Sequence, residues 1–233
     1  GASLLGILIK GGKFLDLLSR TKAVAFDKTK TLTYGEPVVT EVVAFNGFSE
    51  EEILADAAGI ETFSSHPLSK SILKFAESQG VAPHAMDKYQ NVAGKGGKAS
   101  CLVCKDLEHL IGNLKMINAQ GPLAQEITDK VEALERQGQT VVLVSEGNQV
   151  MGALAIADKI RAESKQTVAA LKAMNISSVM LTGDNEHTAG FVARELGITD
   201  TYASLLPEEK VQKIEALKAK YQTVAMVGDG VND

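Results

Sequence analysis

Apolar residues recur along the chain in three short runs, and each run ends in a polar turn that contains Gly or Asp. The runs occupy residues 22–26, 176–181 and 223–227. Short apolar runs bounded by turn signals are typical of buried parallel strands. Helical spacing of apolar positions marks three further segments: 162–174, 187–196 and 208–220. Strands that alternate with helices predict a doubly wound α/β fold, a parallel sheet with helices on both faces.

The middle of the chain has a different pattern. Helices are predicted over 49–60, where Ser49 and Glu52 form a capping box, and over 67–79. Alternating stretches follow at 98–104, 140–145 and 149–156. This pattern predicts an inserted α+β domain built on an antiparallel sheet.

These patterns predict an order of segments along the chain. They are a first part of the parallel domain (21–36), the insertion (37–155) and a truncated second part of the parallel domain (156–233). The chain opens without Met and stops directly after a Gly-Asp-Gly-Val-Asn run, so both ends are expected to be cuts through a longer protein.

Composition narrows the function classes. The chain has 233 residues, with 24 Lys and Arg against 29 Asp and Glu, and no long basic run, so no nucleic-acid partner is expected. Two cysteines without a signal peptide fit a reducing compartment. No apolar stretch approaches the ~20 residues that cross a bilayer.

Candidate chemistry gathers where the predicted strands end. Asp27 follows the first strand, and Asp229 and Asp233 follow the last. Carboxylates that converge at the ends of parallel strands repel one another unless a cation lies between them, and Mg²⁺ with a substrate phosphate is the usual occupant. Thr182 and Lys210 add a hydroxyl and an ammonium. Together these groups predict a phosphoryl-transfer site.

Three ordered motifs carry a family resemblance. Asp-Lys-Thr-x-Thr-Leu-Thr begins at Asp27, Thr-Gly-Asp spans 182–184, and Gly-Asp-Gly-Val-Asn-Asp ends the chain. In this order they resemble the P-type ATPase branch of the haloacid-dehalogenase-like superfamily. The resemblance implies that ATP phosphorylates Asp27 and that Asp27, the Thr29 carbonyl, Asp229 and Asp233 bind Mg²⁺. It also implies catalytic-motif positions at Lys28, Thr29, Thr182, Gly183, Asp184, Lys210 and Asn232.

The residue two positions after the nucleophile separates two chemistries. Phosphatases of the superfamily have an Asp there as general acid and base, whereas this chain has Thr29, which cannot relay a proton in that way. The aspartyl-phosphate is therefore expected to persist, as a pump requires. Asp158 and Arg161 resemble the Asp-x-x-Arg of the hinge between the two domains of the family.

The inserted domain resembles the nucleotide-binding domain of heavy-metal transporting P-type ATPases. Ser-x-His-Pro ends at Pro67, and Gly-x-Gly begins at Gly94. Alone, a His-Pro is usually a helix start and a Gly-x-Gly a turn. The resemblance implies ATP contacts at five positions: Glu61, His66, Gly94, Gly96 and Asn113.

The same resemblance implies the setting of the chain, with residues 1–20 as the cytoplasmic end of a membrane helix or a stalk. It implies the cytoplasmic part of an integral membrane protein, with a heavy-metal cation bound by a missing membrane domain and a missing actuator domain as partners. The segments around Glu61 and Asn113 look more like zinc, cadmium and lead exporters than copper exporters.

One position departs from the family pattern, because Lys30 stands where the phosphorylation motif has Gly. A Lys there is expected either to strain the loop or to place an ammonium beside the phosphate. Lys30 motivates one alternative, a catalytically impaired nucleotide-binding regulatory module. A free-standing phosphatase of the superfamily is the other alternative, and Thr29 and the nucleotide-domain motifs argue against it.

Cys101 and Cys104 form a Cys-x-x-Cys inside the stretch predicted as a strand over 98–104. Residues i and i+3 of a strand point to opposite faces, so these two are expected to be ordinary strand cysteines. His84 and His109 are expected to be surface or hydrogen-bonded histidines.

Overall fold

The computed structural model describes residues 6–104 and 107–230. Contacts divide the chain into two units. The first consists of the segment up to Tyr34 and the segment from Ile160 onward, and the second is Gly35–Lys159. In chain order the elements are α1 Gly12–Ser19, β1 Ala23–Asp27, β2 Val38–Ala44, α2 Glu50–Glu61, α3 Pro67–Ser78, β3 Met86–Val92, β4 Gly96–Cys101, β5 Glu108–Gly112, α4 Leu114–Asn118, α5 Gln125–Arg136, β6 Thr140–Glu146, β7 Gln149–Ala157, α6 Ala162–Ala173, β8 Ser177–Leu181, α7 Glu186–Leu196, β9 Asp200–Tyr202, α8 Pro207–Tyr221 and β10 Val224–Val227.

The first unit is a parallel sheet in the order β10-β1-β8-β9. Val24 and Phe26 of β1 face α6 and α7, whereas Ala25 faces Leu217 of α8. Successive side chains of a strand point to opposite faces, so a strand covered on both sides must be apolar throughout. The predicted doubly wound α/β fold is confirmed.

The second unit is an antiparallel sheet in the order β2-β7-β6-β5-β4-β3. Val142 and Val144 of β6 pack in the core that α2 and α3 cover. Val141 and Leu143 pack in the opposite core, beneath α4 and α5. Two apolar faces explain why β6 reads as a continuous apolar run. The predicted antiparallel α+β domain is confirmed.

Local signals placed several helix ends correctly. Ser49 accepts a hydrogen bond from the Glu52 backbone, and the Glu52 carboxylate accepts one from the Ser49 backbone, which completes the predicted capping box of α2. His66 is the N-cap of α3, with Pro67 in the first turn. Among the described residues, no helix combines the length and the apolar character needed to span a membrane.

The strand prediction over 98–104 was wrong at its end. β4 stops at Cys101, and Leu102–Cys104 form a turn toward β5. The opposite-face expectation for the two cysteines therefore fails, because a chain reversal can return Cys104 to the side of Cys101. His109 on β5 is fully buried, so the expectation of a surface position fails as well.

Candidate functional site

Asp27 is the last residue of β1 and is almost fully buried. Its Oδ1 accepts a hydrogen bond of 2.5 Å from Nζ of Lys210, a residue in the first turns of α8. A buried carboxylate needs such a partner, because desolvation otherwise penalises its charge. The structure thus places the predicted nucleophile and the predicted ammonium in direct contact.

Thr182 and Asp184 follow β8, the strand that pairs with β1. The Thr182 hydroxyl donates to Asp184 Oδ2 at 3.2 Å, and the Asp184 backbone N–H donates to Thr182 Oγ1 at 3.1 Å. Lys28, buried beside Asp27, forms an ion pair with the same Asp184 carboxylate. Gly183, between Thr182 and Asp184 in the sequence, is exposed. Strand pairing brings this motif next to Asp27.

Asp229 follows β10, which pairs with the other side of β1. Its Oδ2 lies 3.3 Å from Nζ of Lys30. Lys30 has φ 59° and ψ −4°, the left-handed conformation that a side chain makes unfavourable and that Gly adopts freely. Position 30 therefore has a backbone conformation that favours Gly. The Lys30 ammonium forms an ion pair with Asp229, a predicted Mg²⁺ ligand.

The loop after Asp27 is held by α6 and the residue before it. Arg161 donates from Nε to the Thr33 carbonyl at 2.9 Å and from Nη2 to the Lys30 carbonyl at 3.2 Å. Ser164 Oγ donates to the Leu32 carbonyl at 2.9 Å. Sequence reasoning missed Ser164, because a Ser inside a helical pattern carries no sign of a distant backbone partner.

The donor set at this edge fits Mg²⁺. Asp27 ends β1 and Asp229 follows β10, the strand paired with β1, and each carboxylate has an ammonium beside it, as expected where carboxylates converge and need a positive charge nearby. Carboxylate and carbonyl oxygens are the ligands that Mg²⁺ prefers. The Thr29 carbonyl belongs to the same loop. Asn232 and Asp233, also predicted for this site, lie outside the described residues.

The predicted adenine contacts of the second unit lie where α2 ends and α3 begins. Glu61 Oε2 accepts a 2.5 Å hydrogen bond from Ser69 Oγ, which also lies 2.8 Å from Ser64 Oγ. Burial raises the pKa of the Glu61 carboxyl above its ordinary value, against the opposing effect of the Ser69 hydrogen bond. His66 is exposed, and its Nδ1 accepts from the Leu68 backbone at 3.2 Å.

Gly94, Gly96 and Asn113 lie close together where β4 begins and β5 ends. Asn113 Nδ2 donates to the Gly94 carbonyl at 3.3 Å. Gly94 has φ 68° and Gly96 has φ 152°, and a Cβ on Gly96 would collide with the Ile111 carbonyl oxygen. Gly is therefore required at Gly96 by the approach of two backbones, whether or not a nucleotide binds there.

Tyr89 of β3 belongs to this region, although sequence reasoning did not single it out. Its ring stacks on Phe63 at a centroid distance of 5.2 Å, and a Cβ on Gly97 would lie 2.8 Å from it. Burial, and then the charge of Glu61, raise the pKa of the Tyr89 hydroxyl. A single aromatic residue in a polar strand does not indicate, from the sequence alone, that it stacks on Phe63 and packs against Gly97.

Comparisons with known proteins identify the family and relatives of this chain. The model of the haloacid dehalogenase-like hydrolase family matches residues 21–233. The chain is 39% identical over 228 residues to a zinc-transporting ATPase of Bacillus subtilis, covering 98% of this chain and 35% of the relative. It is 39% identical over 232 residues to copper-exporting P-type ATPase B of Archaeoglobus fulgidus, covering 98% and 32%.

A solved structure of the catalytic domain of the CPx-ATPase CopB-B superposes with a TM-score of 0.71 at 28% identity, covering 99% of this chain and 79% of that one. The resemblance to heavy-metal P-type ATPases is thereby confirmed at the level of homology and fold. The chain spans about a third of the length of the curated relatives it matches.

Proposed function

Because this chain belongs to the haloacid dehalogenase-like hydrolase family, we propose that it is the ATP-binding, autophosphorylating catalytic portion of a heavy-metal export ATPase. The observation that carries the proposal is the buried pair of Asp27 and Lys210 at the strand edge, flanked by Thr182 and Asp229. The first unit takes the role of the phosphorylation domain, and Gly35–Lys159 that of the nucleotide-binding domain.

In the proposed reaction, an Asp27 oxygen attacks the γ-phosphorus of ATP. A new O–P bond forms, the bond to the β,γ-bridging oxygen breaks, and ADP leaves with that electron pair. Lys210 and the Thr182 hydroxyl stabilise the charge of the transferring group. Mg²⁺ held by Asp27, Asp229 and the Thr29 carbonyl would neutralise further phosphate charge.

The product is proposed to persist. Thr29 carries a hydroxyl that does not act as a general base near neutral pH, so water attack on the aspartyl-phosphate lacks assistance from this position. The base would come from an actuator domain, and the chain would be the cytoplasmic part of an integral membrane protein. This distinguishes the proposal from a free-standing phosphatase.

In the second unit, ATP is proposed to bind across two neighbouring groups. Glu61 and His66 would contact the adenine base, and the Gly94–Gly96 turn with Asn113 would meet the nucleotide by its backbone. A relative whose catalytic domain is described as changing conformation on nucleotide binding supports nucleotide binding by this type of domain. His66 is exposed and held by the helix start, so its ring is presented without reorganisation.

The cation is proposed to be of the zinc, cadmium and lead class, on the motif likeness around Glu61 and Asn113. Relatives named for zinc and for copper are equally similar, at 39%. The test is ATPase stimulation by each cation in a membrane protein that contains this chain. Stimulation by Cu⁺ alone would refute the zinc-class assignment and leave the catalytic proposal intact.

The catalytic proposal is tested with γ-labelled ATP and Mg²⁺. Wild-type chain should form an acid-stable, hydroxylamine-sensitive phosphoprotein, and Asp27→Asn should form none while binding ATP as well or better, because a negative charge facing the γ-phosphate is removed. His66→Ala is the matched variant for the other unit. It should bind ATP about ten-fold more weakly, yet become phosphorylated at saturating ATP.

Three outcomes would contradict the proposal. Label retained in Asp27→Asn would show that another residue is the nucleophile. Rapid release of phosphate from the labelled chain alone would indicate a phosphatase. ATP binding without any label in the wild type would favour the impaired regulatory module.

A further inference from the structure

The turn after β4 brings two sulfurs to one side of the second unit. The Cys104 backbone N–H donates to Cys101 Sγ at 3.2 Å, which closes the Cys-x-x-Cys into a compact loop. The Cys101 N–H donates to the Leu107 carbonyl at 3.0 Å and pins the loop to the start of β5. A backbone N–H aimed at a sulfur is the kind of second contact that orients a thiolate ligand.

Three further side chains with metal-binding atoms converge on these sulfurs. Asp56 of α2, 1% exposed, lies with Oδ1 2.8 Å from His84 Nδ1 and with Oδ2 3.2 Å from His109 Nδ1. His84 Nδ1 is 4.0 Å from Cys101 Sγ and 3.9 Å from Cys104 Sγ. The ligand atoms of Asp56, Cys101, Cys104 and His109 all lie within 4.8 Å of one another.

Ordinary packing leaves this cluster incompletely satisfied. His109 is fully buried, and within the described residues neither of its ring nitrogens makes a hydrogen bond of acceptable geometry, despite the 3.2 Å approach to Asp56. A buried polar atom without a hydrogen bond is costly, and a buried carboxylate more so. Both costs fall if a cation accepts a lone pair of the Asp56 carboxylate and the lone pair of one His109 ring nitrogen. The other ring nitrogen can then donate toward Glu146, since Nε2 lies 3.6 Å from Glu146 Oε1.

Cysteine binds metals as the thiolate, so a bound cation of the zinc class would displace the thiol protons of Cys101 and Cys104 to solvent.

We propose that Cys101, Cys104, His109 and Asp56 form a binding site for a thiophilic divalent cation of the zinc class. Two sulfurs, an imidazole and a carboxylate form a donor set that zinc takes with tetrahedral geometry. Metal–ligand bonds of about 2.0–2.3 Å separate tetrahedral ligand atoms by about 3.3–3.8 Å. The four groups therefore need to close by only about 1 Å. His84 positions Asp56 through their hydrogen bond.

A surface cleft lies beside the cluster. It has a volume of about 740 Å³ and is lined in part by His84, Val103, Glu51 and Glu52. His84 and Val103 are neighbours of the sulfurs, and the two glutamates add negative charge that attracts cations.

The site is separate from the residues proposed to bind ATP. Cys101 ends β4, whereas Gly96 begins it, and Asp56 lies more than one helical turn before Glu61 on α2. A cation here would join α2 to the β4–β5 hairpin and stabilise the second unit. The inference does not rest on the proposed function, because it concerns neither phosphorylation nor the transported ion.

The experiment uses the metal-free, reduced 233-residue chain. Titration with Co²⁺ should give tetrahedral absorption bands and a sulfur-to-cobalt charge-transfer band that saturate at one equivalent, and Zn²⁺ should abolish them. Cys104→Ser and Cys101→Ser should each bind Zn²⁺ at least 100-fold more weakly. His187→Gln, exposed on α7 of the first unit, is the control and should bind as the wild type does.

A second measurement covers variants that fold poorly. In the folded wild type, Zn²⁺ should protect two thiols from alkylation and raise the thermal midpoint, while millimolar Mg²⁺ should do neither. Four outcomes would overturn the proposal: no charge-transfer band in folded, reduced wild type, no protection of the thiols, equal affinity in Cys104→Ser, or a disulfide that persists under reductant.

Discussion

Replacing Lys30 tests whether its ammonium competes with the proposed Mg²⁺. The side chain is about half exposed, and its Nζ lies 3.3 Å from Asp229 Oδ2, an oxygen assigned to the ion. The same residue holds φ 59°, so charge and backbone strain coincide at one position. Two variants separate them. Lys30→Ala removes the charge and keeps a Cβ, whereas Lys30→Gly removes both.

The charge effect can be estimated from Coulomb's law. Two unit charges ~4 Å apart repel by about 1 kcal/mol in water, so an ammonium beside a divalent ion loses about 2 kcal/mol. Physiological salt and the freedom of a half-exposed side chain to move away reduce this. We therefore expect the apparent Mg²⁺ affinity to rise about five- to ten-fold in both variants.

The strain effect has a different readout. A left-handed conformation costs an L-residue roughly 1–2 kcal/mol relative to Gly, part of which the greater freedom of Gly in the unfolded chain offsets. Lys30→Gly should therefore have a free energy of unfolding about 1 kcal/mol higher than Lys30→Ala. ATP affinity should stay unchanged in both, because its proposed contacts lie in the other unit.

The assay is single-turnover phosphorylation by labelled ATP over a series of Mg²⁺ concentrations, with urea unfolding of the same preparations. An unchanged Mg²⁺ dependence in both variants would refute competition by the ammonium. An affinity gain in Lys30→Gly alone would assign the effect to the backbone. Equal unfolding free energies would show that the left-handed conformation is not strained.

Three further predictions concern the second unit. Gly96→Ala should lower the free energy of unfolding by about 3 kcal/mol, because the new Cβ would collide with the Ile111 carbonyl. Gly94→Ala has open space around the new Cβ and should lower it by only about 1 kcal/mol. Urea unfolding compares the two variants, and equal losses would contradict the close approach at Gly96. Burial raises the pKa of Glu61, so its effect on stability is most favourable below the ordinary Glu pKa and is lost as pH rises through the raised value. Glu61→Gln should thus unfold at higher urea than the wild type at pH 7 and at the same urea at pH 4, and a gain at both pH values would exclude titration as the cause. Ser49→Ala should lose about 1 kcal/mol of unfolding free energy through loss of the α2 cap, and thermal melts that coincide with the wild type would show that the cap contributes nothing.

Much of the fold follows from local patterns. Residues 23–26, directly before Asp27, are all apolar because both faces of β1 are covered, and this pattern is visible without coordinates. Ser49 and Glu52 mark the start of α2 by a contact between near neighbours. β3 escaped prediction because it is a polar edge strand, whose side chains need no apolar alternation.

The candidate site likewise has residues that a local motif predicts and contacts that only the folded chain creates. Asp27 could be selected from its motif and its position at a strand end, since the chemistry of a carboxylate there depends on few neighbours. Its partner Lys210 lies 183 residues away, and the pairing of Lys30 with Asp229 spans an even longer stretch of sequence. Such contacts depend on strand order, which a motif alone does not specify.

By itself, then, the sequence determined the strand ends that carry Asp27 and Thr182, because periodicity and turn residues act over a few positions. Only the tertiary structure decided the fate of Cys101, Cys104, His84 and His109. Whether these side chains are scattered or meet around Asp56 depends on where β4 ends and how β5 returns against α2. Packing between elements distant in sequence makes that choice, and no local pattern records it.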